Sequence, residues 1–271
     1  MTRIAVVVFP GTNCMFETAD ALRAAGAEAE ILRWNAPASD CAAFDGYVVA
    51  GGFAYEDRIR AGVIASKHGI LDVIAAAAAA GKPVLGVCNG AQVLVEAGLV
   101  PGVEAGQVEV ALAANAVRGW QGYYCGWVFL EARPSRGFLG ALAGTAPLPM
   151  PVGHGEGRFT GDRERFAALA RNAQMPLCYV RASGGAATAF PDNPNGSLHA
   201  AAALCDPAGN VVALMPHPER AAWLYQVPEN LAGPWGERRR QAGATELLGP
   251  GPGLVLYQAL VRAARGEGAA S

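Results

Sequence analysis

Cys88 stands in Gly86-Val87-Cys88-Asn89-Gly90, a nucleophile with glycine two positions away on each side. That spacing suits a sharp strand-to-helix turn, where the backbone is strained, the neighbours at ±2 must be small, and the side chain is lifted clear of the sheet. A helix starting just after the thiol favours its thiolate and aims backbone N–H groups at a developing oxyanion. Taken alone, the same five residues also describe a buried thiol at the end of a glycine-rich strand. A thiol nucleophile needs a base, and the base needs an orienting group. Of the four histidines, His217 is the candidate, because it follows an apolar run and lies between Pro216 and Pro218, which fix its backbone. Glu219, two residues on, is close enough in an extended segment to hold the imidazole; the alternative is a polar surface turn. Ala50-Gly51-Gly52-Phe53 ends another apolar run, and paired glycines there let backbone N–H groups approach a ligand closely. Gly51, Gly52 and Phe53 are therefore candidates for an oxyanion hole, against the alternative of a simple turn. His68 reads as a helical surface residue beside Lys67, and His199 as a structural residue ahead of an apolar strand. The cysteines and histidines lack the ligand spacing of a zinc site. His217-x-Glu219 could chelate, but a carboxylate behind a base histidine explains the pair better, and no metal is expected.

The elements that must position these residues follow from periodicity. Ile4–Phe9 is a continuous apolar run of the kind found in a doubly buried parallel strand. Further strands are predicted at Glu28–Trp34, Gly46–Ala50 and Pro83–Val87, with helices around Glu17–Ala25, Val63–Ala80 and Asn89–Ala97. This alternation predicts an α/β fold: an open mixed, mostly parallel sheet with helices on both faces, three layers in the flavodoxin-like manner. From about Val108 the pattern shifts to strand-like pieces at Val108–Ala113, Trp127–Ala132, Met175–Arg181, Ala200–Leu204 and Val211–Met215, expected to extend the sheet and add an antiparallel part. Gly137–Gly155 is charge-free but too rich in glycine and proline for a spanning helix. Residues 227–252 read as a solvated surface excursion, and Leu254–Ala264, within 253–266, as an amphipathic closing helix. The whole chain, 1–271, is read as a single domain.

Composition narrows the class. The chain has 271 residues, a net charge of −2, 16% charged and 52% hydrophobic residues. That excludes general disorder and lacks the basic excess of a nucleic-acid binder. Six dispersed cysteines, with no C-x-x-C, read as reduced thiols of a cytoplasmic protein. No signal peptide or membrane span is expected.

A Gly-Gly turn, a cysteine elbow and a late His-x-Glu, in this order, resemble the class I, triad-type glutamine amidotransferases. Phe9-Pro10-Gly11-Thr12-Asn13-Cys14, Gly51-Gly52-Phe53 with Glu56-Asp57-Arg58, Cys88-Asn89-Gly90-Ala91-Gln92, His154-Gly155-Glu156-Gly157-Arg158-Phe159, Asn193-Pro194-Asn195-Gly196-Ser197 and Met215 through Arg220 together resemble the glutaminase subunits of phosphoribosylformylglycinamidine synthase. The resemblance spans about residues 3–225. It departs at Met15, where an acidic residue is usual, and in the long stretch after Leu224. It implies that Cys88 attacks the carboxamide of glutamine, His217 moves the proton and Glu219 holds the imidazole. It further implies that N–H groups near Gly52–Phe53 and from Asn89 hold the oxyanion, that Gln92 contacts the bound glutamine, and that His154-Gly155-Glu156 recognises its amino-acid end. The ammonia would pass to a large synthetase subunit, with a small third subunit as a further possible partner. No P-loop is present, so this chain would carry no cofactor, ATP and Mg being expected on the synthetase. The isolated subunit is expected to be a weak glutaminase, its oxyanion hole completed only in the complex. Two rival readings are an amidotransferase serving another synthetase and a non-catalytic cysteine-elbow protein.

Overall fold

The computed structural model describes residues 1–117 and 122–267. Its strands are β1 (Arg3–Val8), β2 (Glu28–Arg33), β3 (Gly46–Val49), β4 (Val84–Val87), β5 (Ala111–Ala113), β6 (Tyr124–Ala132), β7 (Leu148–His154), β8 (Arg158–Thr160), β9 (Leu177–Val180), β10 (Ala201–Cys205) and β11 (Val211–Leu214). The main sheet has the order β2-β1-β3-β4-β11-β10-β9-β6-β7, and β5 pairs with β8 separately. From β2 through β11 every pairing is parallel; from β11 through β7 every pairing is antiparallel. The central strands β3, β4 and β11 are buried along their whole length, as parallel strands covered on both faces must be.

The helices are α1 (Met15–Ala24), α2 (Ala38–Cys41), α3 (Ile70–Ala79), α4 (Asn89–Glu96), α5 (Arg163–Arg171), α6 (Pro234–Gln241), α7 (Ala244–Leu247) and α8 (Leu254–Ala264). The closing helix α8 packs against α1, while α4 packs against β4, β11 and β5. No helix among the described residues is long and apolar enough to cross a membrane.

Consequential for function is the adjacency of β1, β3, β4 and β11. They are neighbours and parallel, so the segments Phe9–Cys14, Ala50–Phe53, Cys88 and Met215–Glu219 all leave the same edge of the sheet. Ligand sites of open α/β sheets lie at that carboxyl edge.

Several expectations need correction. The helix expected over Val63–Ala80 begins only at Ile70. A short 3₁₀ turn covers Ala65–Lys67, and His68 is extended. Its ring is drawn out of the helical path, stacking on Tyr55 and Trp34 and sharing a 2.7 Å hydrogen bond with the Tyr55 hydroxyl. His68 is thus half-buried and not helical, and His199, expected to be structural, is exposed. The strand β7 was hidden by Pro149 and Pro151. These prolines are tolerated because β7 is the sheet's last strand and needs no N–H on its outer side. The excursion after Val227 lies at the surface as expected, but it is not an unstructured loop, since it carries α6 and α7. Leu224, Val227 and Leu231 form a small second core with Trp127, Phe129 and Trp235, and Pro234 opens α6 at its first position.

Candidate active site

The elbow is built as its glycines require. Cys88 has φ 49° and ψ −107°, a conformation side chains rarely adopt, and its N–H is fixed by Leu214 O at 2.7 Å. A Cβ at Gly90 would collide with the Val49 carbonyl, and one at Gly86 would lie 2.5 Å from Gly90 O. The helix α4 can therefore start directly on the sheet only with glycine at both positions. The Cys88 thiol points to Gly153 O, 3.7 Å away on β7.

His217 is reached from the other side of the same seam. Its N–H donates to Pro151 O at 2.8 Å, tying the segment after β11 to the outer edge of β7. The imidazole is buried, and Glu219, with no exposed surface, accepts from His217 Nδ1 at 2.5 Å. Because a carboxylate can only accept, Nδ1 carries a proton toward Glu219, and Nε2 is the nitrogen that exchanges a proton with the thiol. Nε2 is buried without a closed hydrogen bond. Burial alone would push the His217 pKa down; the Glu219 charge, then Cys88 and Cys14, outweigh it and push the pKa well up. Glu219 is the converse: burial disfavours its charge, and His217 nonetheless holds its carboxyl below the usual value. The Cys88 contact to the imidazole is thus loose but electrostatically coupled, as resting catalytic contacts often are.

Beside the sulfur is a cavity of about 170 Å³ lined by Gly52, Phe53, Asp57, Cys88, Gln92, Tyr123, Gly153, His154, Gly155 and Glu156. It is far smaller than the roughly 300–1,000 Å³ of sites for drug-sized ligands and suits a single amino acid. Hollows of about 460, 520 and 600 Å³ elsewhere have no thiol or imidazole in their lining, and one of about 320 Å³ is lined by Cys41 and His68 but by no carboxylate. Asn89 staples the cavity wall: its Oδ1 accepts from Ala54 N at 2.9 Å, and its Nδ2 donates to Asp57 at 3.1 Å and to Gln92 at 2.9 Å. Gln92 in turn donates to Glu156 O at 2.7 Å. Gln92 lines the cavity, but both ends of its amide are engaged within the protein. Burial, then the nearby Glu156 charge, raises the Asp57 carboxyl to about 6, with Asn89 opposing. Two carboxylates facing one small cavity make it suited to an ammonium group.

His154 is brought to the cavity, but as a neutral ring. Burial, then the His217 charge, lowers it to about 4, and Asn115 Oδ1 stands 3.2 Å from its Nδ1. Asn115 also donates to His154 O at 2.8 Å and accepts from Gly157 N at 3.1 Å. The Asn193–Ser197 segment pins the other side of this turn: Asn195 donates to Gly157 O at 2.7 Å, and Ser197 Oγ accepts from Phe159 N at 3.0 Å. Gly51 is part of the same centre, since a Cβ there would be 3.1 Å from His217 Cε1. At Gly52, with φ 154°, a Cβ would be 2.6 Å from Thr12 Cα. The expected oxyanion donor Phe53 differs from its predicted role: its N–H donates to Gly11 O at 2.9 Å and is turned away. Tyr55, Glu56 and Asp57, all with φ between 53° and 59°, continue this strained segment.

Sequence reasoning did not single out Asp57, Tyr123 or Asn115. Asp57 lay inside a quoted motif, and its partnership with Glu156 gives it meaning only in three dimensions. Tyr123 and Asn115 carry no local signal.

A model of a CobB/CobQ-like glutamine amidotransferase domain matches residues 1–249. A phosphoribosylformylglycinamidine synthase subunit PurQ from Methanothrix thermoacetophila is 40% identical, over 96% of this chain and 97% of that one. The chain belongs to the PurQ family of glutamine amidotransferases. Its counterpart from Thermomicrobium roseum is 41% identical over 81% of this chain and 87% of its own. Among solved structures, PurLQS from Thermotoga maritima is similar with a TM-score of 0.70 and 27% identity, covering 96% of this chain and 98% of that one. A glutamine amidotransferase from the same organism shares the fold at a TM-score of 0.50 and 16% identity. Membership in the PurQ family agrees with the resemblance read from the motifs.

Proposed function

We propose that this chain is the glutaminase subunit of phosphoribosylformylglycinamidine synthase, splitting glutamine and feeding the ammonia to a synthetase partner. The observation that carries the reading is the meeting of Cys88, His217 and Glu219 beside one amino-acid-sized cavity, in a chain of the PurQ family.

The chemistry follows from the geometry. Cys88 Sγ adds to the carboxamide carbon of glutamine as its proton passes to His217 Nε2. The tetrahedral intermediate collapses, the C–N bond breaks, and the imidazolium returns the proton to the departing nitrogen, giving ammonia and a glutamyl thioester. Water, deprotonated by His217 Nε2, attacks the thioester; the C–S bond breaks, glutamate is released, and the imidazolium returns the proton to the Cys88 sulfur. Asp57 and Glu156 attract the α-ammonium group, which places the carboxamide at the sulfur. Backbone N–H groups at Gly52 and Asn89 are assigned as the oxyanion donors. With the Phe53 N–H committed to Gly11, one donor is missing, which supports weak activity of the isolated subunit and completion of the hole by the partner. A lost oxyanion donor costs about 10²–10³ in rate.

The acceptor is formylglycinamide ribonucleotide, converted to the formylglycinamidine by the large subunit, which carries ATP and Mg, and the reading assigns no cofactor or metal to this chain. A small third subunit completes the assembly. The compartment is cytoplasmic, in keeping with the reduced cysteines. The test is reconstitution with the synthetase subunit and glutamine labelled with ¹⁵N in its amide. The reading expects label in the amidine, dependent on Cys88, with glutaminase turnover rising at least about tenfold on assembly. Equal turnover alone and in complex removes the incomplete hole, and transfer to a different acceptor removes the proposed partner.

A further inference from the structure

Two residues from the quoted motifs take no part in the chemistry above: the cysteine ending Phe9–Cys14 and the arginine ending Met215–Arg220. The fold joins them. Arg220 Nη2 donates to Cys14 Sγ at 3.1 Å, and Cys14 Sγ donates to Asn13 Oδ1 at 3.1 Å. The same sulfur lies 4.0 Å from His217 Nδ1, the nitrogen that Glu219 holds. Arg220 Nε is 3.8 Å from Glu219 Oε1. On its other side, Arg220 Nη1 would be 3.5 Å from a Cβ at Gly153, the residue whose carbonyl meets the Cys88 thiol. The guanidinium therefore stands between the carboxylate of Glu219 and the strand that carries the nucleophile's partner.

We propose that Cys14 is a positioning residue that seats Arg220, and that Arg220, so seated, is the fixed positive charge that holds the Glu219 carboxylate in place behind His217. The inference deepens the proposed glutaminase reading and rests on it. The Arg220 side chain is 42% exposed, whereas Cys14 is 3% exposed. A long, half-solvated side chain keeps one position only if something buried clamps it, and the sulfur is that clamp. Burial opposes the charge of Arg220, but Cys14, Glu219 and Cys88 reinforce it. Cys88 is faced by His217, Tyr123, Tyr179 and Arg220, with Asp57, His154 and Glu156 lining the same cavity. Glu219 is faced by His217, Arg220 and Tyr257. Of these groups Arg220 is the permanent cation.

The test uses the full chain and the pH dependence of Cys88 alkylation by iodoacetamide, read by mass spectrometry on the Cys88 peptide. Cys14→Ala and Arg220→Gln are each expected to slow alkylation at pH 7 about three- to tenfold, because a displaced Glu219 no longer holds His217 ready to take the thiol proton. Combining them should be no worse than the poorer single change, because both remove one device. Cys14→Ser keeps an acceptor for Arg220 and should stay within about twofold of the parent. In the complex, kcat for glutamine should fall by a similar factor with KM unchanged. Unchanged alkylation profiles in both single variants, or losses that multiply in the double variant, overturn the inference. Should Cys14→Ala not fold, Arg220→Gln at its half-exposed position decides alone. A parent complex without glutaminase activity would defeat the functional reading but leave the alkylation test standing.

Discussion

Glu219→Gln removes a charge while changing almost no volume. In the parent, the carboxylate accepts from His217 Nδ1 at 2.5 Å and has no exposed surface, so the ring's proton is fixed on Nδ1 and Nε2 stays available for the thiol proton. A carboxamide can turn its NH₂ group toward Nδ1 instead. The ring proton then moves to Nε2, and the base is in the wrong tautomer. The ring also loses the largest contribution that raises its pKa against burial, so the imidazolium needed to protonate the leaving nitrogen becomes costly. Displacing a base's tautomer in this way costs about 10⁴ in kcat, or about 5.4 kcal/mol at about 1.36 kcal/mol per tenfold. Glu219 does not line the cavity, so KM for glutamine should hold within about twofold. The assay is steady-state glutaminase activity of the reconstituted complex, with circular dichroism to confirm the fold. A kcat within tenfold of the parent would refute the assignment of Glu219 as the group that fixes the tautomer.

The remaining predictions follow from the same contacts. Glu219 is held below its ordinary value of 4.5 and His217 well above 6.5, so the pair stabilises the fold fully between 4.5 and 6.5. Its contribution falls away as pH drops through the lowered Glu219 value or rises through the raised His217 value; denaturant melts across pH should show this in the parent and a flatter profile in Glu219→Gln. Asp57, raised to about 6, is ionised above that pH, so KM for glutamine should rise as pH falls through about 6. Asp57→Asn should raise KM and flatten that limb, whereas a parent-like pH profile in the variant would exclude Asp57 from binding. Gly90→Ala drives a methyl group into the Val49 carbonyl, and overpacking there should cost about 1–3 kcal/mol, read as a lower denaturation midpoint together with lost activity. An unchanged midpoint would show that the elbow can relax.

Much of the site was legible because its signals are local. The glycines around Cys88 report a close approach that any sequence reader can infer from spacing, and the paired prolines around His217 report a fixed backbone. The parallel strands β1, β3 and β4 announce themselves as short apolar runs, β1 and β3 running into Pro10 and Gly51 and β4 opening after Pro83. What escaped was non-local. β7 looks like a proline-broken loop until it is seen as the outermost strand, where the missing N–H groups face no partner. Yet this strand supplies Gly153 and His154 and ties down His217 through Pro151. Asn115 braces His154 from a segment with no motif at all, and Asp57 owes its raised pKa to burial and then to Glu156, ninety-nine positions away in sequence and adjacent in the fold. The Phe53 amide was assigned from a glycine-rich turn, and spacing alone could not show that Gly11 already occupies it. The helix expected from Val63 failed for a tertiary reason: the His68 ring is stabilised by Tyr55 and Trp34 in a place no helix would put it.

The central claim, that Cys88 is the nucleophile activated by His217, is tested most directly by labelling with an electrophilic ketone analogue of glutamine and locating the adduct by peptide mass spectrometry. The account predicts one adduct per chain, on Cys88, suppressed by excess glutamine and lost in His217→Ala. An adduct on Cys14 or on the exposed Cys125 in place of Cys88, or undiminished glutaminase turnover in Cys88→Ala, would contradict it.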